Sequence, residues 1–237
     1  MQELFSFYKA ESHEDVLSLI EAGAKIESKY DVIEGGLHKI YVPKNIDLTK
    51  DKLPLLTAHT DTVYYQKPTE IVATQSERGT VLRSSFPAKG IGGDCRNGCY
   101  LISEVMKSAS WDKFIFVIFD LEEQLGVGSK AMPHQKVIAD NVSYLIGLDC
   151  FARDYVAVYD NTDRELINLI EDNFADKVLT QGYFTDVTVL ARKYQKSPIV
   201  LSIGYYNQHS PNEYVIYEDL KECYDTIIRF GDLERIS

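Results

Sequence analysis

Four short apolar runs govern what this chain can become: "LPLLTA" (53–58), "FIFVIF" (114–119), "SYLIGL" (143–148) and "PIVLSI" (198–203). None alternates apolar with polar residues, as a strand with one wet face would, and all are short for buried helices. Such runs belong to strands covered by helices on both faces. The pattern predicts an α/β fold, a three-layer α/β/α sandwich around a mixed, mainly parallel central sheet.

Helical spacing fills the gaps. Residues 13–23 follow Ser12 with Asp15 three positions on, and residues 162–175 follow the same capping-box pattern with Thr162 and Glu165. Cys99, Ile102, Val105 and Met106 predict a helix over 97–108; Ile216, Leu220, Cys223, Ile227 and Phe230 predict one over 216–230. Residues 68–85 alternate more and carry Arg78-Gly79 at their middle, which predicts a surface hairpin and hence a mixed sheet. No repeat, low-complexity tract or flexible linker interrupts residues 1–237, so a single domain is expected.

Composition narrows the function classes. No apolar run approaches the roughly 20 residues of a membrane-spanning helix, so no membrane partner is expected. The start "MQELFSFYKAESHEDV" lacks a basic leader with an apolar core, which points to the cytoplasm, and there Cys95, Cys99, Cys150 and Cys223 are expected as thiols. A net charge of −11 and a pI near 4.9 argue against nucleic acid as a partner. Either the acidic surplus solubilises the surface or its carboxylates gather to hold cations.

The polar residues fall in a telling order. Potential ligands follow every apolar run: His59 and Asp61; then Asp120, Glu122 and Glu123; then Asp149; then, across "GYYNQ", His209. The carboxyl ends of parallel strands share one sheet edge, where such folds bind ligands. Asp94 sits in "GIGGDCRNG", a glycine-rich loop where backbone can approach an ion closely. Imidazole and carboxylate suit Zn²⁺, with Co²⁺ or Mn²⁺ possible, and the CxxC spacing of closed structural zinc sites is absent. Two ions sharing a bridging carboxylate would need about this many ligands.

These motifs, "HTD", "GGDCRNG", "DLEEQLGVGS", "LDC" and "HSPNE", in this order over about residues 53–230, resemble the co-catalytic di-zinc exopeptidases: tripeptidases, zinc aminopeptidases, and the related carboxypeptidases and deacylases. The resemblance implies that His59, Asp94 and Asp149 hold one zinc ion, and that Asp94, Glu123 and His209 hold the other. It implies further that Asp61 orients the His59 ring and that Glu122 is the general base. In this family the bond after the bridging aspartate is often cis, here Asp94-Cys95. "GYFTDV" (182–187) resembles a stretch near the substrate, with Phe184 where glycine is usual, and makes Asp186 a weak substrate-binding candidate. Many relatives insert a lid domain of about a hundred residues. Here the intervals are 94 − 59 = 35 and 209 − 149 = 60 residues, too short for one, so a lidless catalytic domain is expected.

The expected activity is hydrolysis of an amide bond, as an exopeptidase (aminopeptidase or di/tripeptidase) on short peptides. The alternatives are a deacylase of N-acylated amino acids with the same metal chemistry, a scaffold protein that binds metal without turnover, and a metal-free α/β binding domain. The oligomeric state stays open. Taken singly, His59 reads as a core histidine, Glu122-Glu123 as a helix start, and Asp149 and His209 as turn residues. His13, His38 and His134 are expected as surface or packing residues, and the 16 tyrosines mainly as core.

Overall fold

The structure, a computed structural model, describes residues 1–86 and 88–233. The chain opens with three helices, α1 (Gln2–Lys9), α2 (His13–Glu21) and α3 (Ile26–Lys29). The capping box expected at α2 is present: the Asp15 N–H donates to Ser12 Oγ, and the Asp15 carboxylate accepts the Ser12 N–H. Next come β1 (Tyr30–Gly35), β2 (His38–Pro43), β3 (Leu53–His59), β4 (Ile71–Ser76), β5 (Gly79–Ser84), α4 (Gly93–Lys107) and β6 (Ile115–Phe119). Then follow α5 (Val127–Ala131), α6 (Lys136–Asn141), β7 (Val142–Cys150), β8 (Tyr155–Val158), α7 (Arg164–Asn173) and β9 (Val178–Gln181). The chain continues through α8 (Asp186–Tyr194), β10 (Pro198–Ser202), β11 (Tyr205–Tyr206), β12 (Tyr214–Ile216) and α9 (Tyr217–Asp232).

The main sheet has eight strands in the order β1-β2-β6-β3-β7-β10-β8-β9. Its centre, β6-β3-β7-β10, is parallel throughout and consists of the four strands expected from the apolar runs. Successive side chains alternate between two buried faces. In β6, Phe116 and Ile118 join the core beneath α1, α2, α4, α7 and α9, while Ile115, Val117 and Phe119 join the core beneath α6 and α8. This is why the runs show no polar alternation, and it makes the three-layer sandwich. Among the described residues no helix is long and apolar enough to cross a membrane.

Two expectations are corrected. The 68–85 hairpin forms as β4 and β5, but it belongs to a separate antiparallel sheet, β11-β12-β5-β4. The main sheet is mixed because β2 and β8 pair antiparallel with β6 and β10. Thr162 does not cap α7. Its hydroxyl is held by the sheet, donating to Pro198 O at 2.6 Å and accepting the Tyr159 N–H at 2.8 Å, and the helix starts at Arg164 after Asp163.

Candidate metal centre

The parallel strands deliver the polar residues to one edge. His59 is the last residue of β3 and Asp149 the penultimate residue of β7. Glu122 and Glu123 follow β6 through Leu121, whose backbone is left-handed (φ 59), as is that of His209 (φ 57) in the loop between β11 and β12. Such φ values are uncommon for non-glycine residues and cluster at functional sites. Asp94 enters from the start of α4, across a cis peptide bond to Cys95. Gly98 lets α4 sit this close to the sheet, because a Cβ there would lie 2.6 Å from Leu148 O.

Asp94 stands between two imidazoles. Its Oδ1 lies 3.4 Å from His59 Nε2 and its Oδ2 3.1 Å from His209 Nε2. Asp149 Oδ1 is also 3.4 Å from His59 Nε2, and Glu123 Oε1 is 3.0 Å from His209 Nε2. On its other side, His59 Nδ1 lies 3.1 Å from Asp61 Oδ1; a carboxylate can only accept, so this nitrogen carries the proton. Asp61 also accepts the backbone N–H of Glu122 at 3.0 Å and of Glu123 at 3.1 Å. Glu122 Oε2 is 3.9 Å from His59 Nε2, at the edge of the same cluster.

So many buried carboxylates disturb one another. Burial and the Asp94 charge push Asp149 well above the usual carboxylate range. Burial also acts on Asp94, but the His209 and His59 imidazoles outweigh it and hold that carboxyl low. Glu122 is pushed up to about 7, by burial first and then by Asp186, Glu123 and Asp94, against the pull of His59.

The donor set fits a divalent cation. His59 Nε2 is buried, makes no hydrogen bond, and in the neutral ring presents its lone pair toward the oxygens of Asp94 and Asp149. Donor atoms of His59, Asp94 and Glu123 lie within 4.8 Å of one another, as do those of His59, Cys95 and Asp149. Cys95 is otherwise engaged, with its thiol donating to Leu148 O at 2.7 Å and burial raising its pKa. The remaining nitrogen and oxygen donors are the set that binds zinc, cobalt or manganese.

The other candidates sort themselves by position. Asp186 differs from expectation as a substrate group: as the first residue of α8 it turns inward, is 4% exposed, and lies behind His59 and Asp149 instead of in the cleft. Asp120 accepts a hydrogen bond from Thr60 Oγ1, which in turn meets His13 Nδ1 at 2.7 Å. His38 packs on Phe119 and His134 on Tyr194. All four cysteines are free and buried.

Sequence reasoning missed one group and set a second in the core. Glu213, 1% exposed, accepts the N–H of Gly92 at 2.9 Å and of Asp94 at 3.2 Å, tying the Asp94 loop to the His209 segment. Its signal was its place at the end of "HSPNE". Tyr205, weighed from the sequence as a stacking residue near the pocket but set with the core, is buried and also lines the cleft, and it donates to Asp149 O at 3.2 Å.

No protein-family model and no curated protein sequence matches this chain. Solved structures do. Aminopeptidase PepT from Bacillus cereus superimposes with a TM-score of 0.76 at 13% identity, covering 97% of this chain and 96% of that one. A tripeptidase from Staphylococcus aureus gives 0.72 at 12% identity, covering 97% and 96%. A zinc aminopeptidase from Bacillus subtilis gives 0.55 at 19% identity, covering 81% of this chain and 48% of that one. The chain has the zinc-exopeptidase fold. In that fold the cluster occupies the carboxyl edge of the parallel strands, where α/β sheets bind ligands.

Proposed function

We propose that this protein is a metal-dependent exopeptidase that hydrolyses short peptides with a pair of divalent cations, zinc by preference. His59, Asp94 and Asp149 would hold one cation and Asp94, Glu123 and His209 the other. The observation that carries this reading is the position of Asp94, whose two carboxylate oxygens face different histidines at 3.4 and 3.1 Å. The named aminopeptidases and tripeptidase among the structural neighbours support the peptidase class. Bound divalent cations would supply polarisation of the scissile carbonyl and acidification of a water molecule.

The protein's own groups do the rest. Glu122 lines the cleft, and as a carboxylate it takes the proton of the attacking water and returns it to the leaving amine. Asp61 holds His59 in one tautomer and fixes the backbone of Glu122 and Glu123, so that base and ligands keep their spacing. We assign this work to a single catalytic domain without an inserted lid, since the two intervals that could hold one carry the β4-β5 hairpin and the segment β8 to β11. Buried, unpaired thiols suit a reducing cytoplasm.

Metal analysis and peptide hydrolysis on the Glu122→Gln variant test the reading. About two equivalents of metal should remain while kcat falls by about 10²–10⁴. Unchanged turnover would reject Glu122 as base, and faster cleavage of N-acyl amino acids than of free-amine peptides would favour a deacylase.

A further inference from the structure

We propose that the cavity beside the acidic cluster is a pocket for a large, uncharged N-terminal side chain. On that assignment the protein is an aminopeptidase for peptides that begin with an aromatic or bulky aliphatic residue and does not read the peptide's carboxyl end. The inference rests on the exopeptidase reading above and names its substrate.

The cavity holds about 270 Å³. That lies just below the roughly 300–1,000 Å³ of small-molecule sites, a size suited to a single side chain. One part of its lining is the cluster itself. The other part of its lining includes Phe151, Ala157, Tyr159, Val200, Tyr183 and Phe184, with the neutral side chains of Thr180, Gln181 and Gln208. Among the described residues no lysine or arginine lines it.

These two parts fix the chemistry. A substrate carboxylate would stand among Asp94, Glu122, Glu123 and Asp149 with no guanidinium or ammonium partner, and two divalent ions would only cancel those four charges. The carboxyl end of a peptide, or the carboxylate of an N-acyl amino acid, therefore finds no dedicated partner here. A lysine, arginine or glutamate side chain entering the uncharged lining would lose hydration without gaining an ion pair. A phenylalanine or leucine side chain would gain apolar contact.

The uncharged lining is built, not incidental. Gly182 must lack a side chain, because a Cβ there would lie 2.3 Å from Tyr159 Cζ. The Tyr159 hydroxyl then donates to Tyr183 O at 2.8 Å, fastening the segment 182–184 against its ring. Phe184 adds to it, its ring near the backbone of Gly126 and 5.3 Å from Lys130 Nζ. Phe184 is 45% exposed, an apolar surface that a bound side chain would cover.

The test is a panel of aryl amides of Phe, Leu, Ala, Lys and Glu, with N-acetyl-Phe and with Phe-Ala in free and C-amidated forms. Calorimetric titration of metal-loaded Glu122→Gln with the simple amides of Phe and Ala accompanies it. We expect kcat/KM for Phe and Leu to exceed that for Ala by at least about tenfold, with Lys and Glu lower still. Amidation of Phe-Ala should leave the rate unchanged, and Phe184→Ala should narrow the Phe-over-Ala ratio by about tenfold. Preference for Ala, Lys or Glu, or loss of turnover on amidation, overturns the inference while leaving the exopeptidase reading intact. Absence of all hydrolysis defeats that reading instead. The titration then still decides the pocket, since equal affinity for the two amides overturns the inference and tighter binding of the Phe amide upholds it.

Discussion

His59 and His209 face the same aspartate from opposite circumstances. The His59 side chain is 2% exposed, ends a central strand, and is gripped on its far nitrogen by Asp61. The His209 side chain is 48% exposed, sits on a loop in left-handed backbone, and points its Nε2 at Asp94 and Glu123. One half of the cluster is a rigid, dry pocket and the other is a loop laid against it. On the di-metal reading, the two cations should therefore differ in how tightly they are held.

The sharpest break of this comparison comes from the residue the halves share. Asp94→Ala should remove both cations and lower turnover by more than about 10³; retention of one full equivalent by mass spectrometry of the native protein would show that Asp94 serves only one half. Next, His209→Ala should release one equivalent and keep the other, whereas His59→Ala should lower metal content more. His59→Ala should also cost about 1–3 kcal/mol in thermal or denaturant unfolding, because it removes the imidazole that Asp149 faces at 3.4 Å and the ring nitrogen that Asp61 holds at 3.1 Å. Equal effects of the two changes would erase the distinction. Asp61→Asn, which keeps the shape but weakens the hold on His59, should lower metal affinity by about 10–100-fold. The smallest effect is on the unaltered protein: a chelator titration should remove metal in two separable phases, with activity lost in the first.

How much was legible in the sequence follows the same physics. β3, β6, β7 and β10 were readable because both faces are buried, so every position is apolar. The hairpin β1-β2 was not, because β1 keeps only Tyr30 fully buried and mixes polar with apolar residues. β8 and β9 have four residues each, too few for a period to show. His59, Glu122, Glu123 and Asp149 could be found because ligands at strand ends lie next to an unmistakable apolar run. Glu213 could not be given a role, since its partner Gly92 is 121 positions away and no local pattern connects them. Tyr159 escaped as a cleft residue for a related reason, because it reaches the 182–184 segment, which resemblance alone had set near the substrate, only when β8 comes beside β9.

The hydrogen bonds from Gly92 and Asp94 to Glu213 have a mechanical consequence. Glu213 lies four residues after His209, so the segment that presents the exposed imidazole also buttresses the glycine-rich turn that aims the shared carboxylate. Peeling that segment away withdraws a histidine and, in the same movement, unlatches the aspartate at the centre of the cluster.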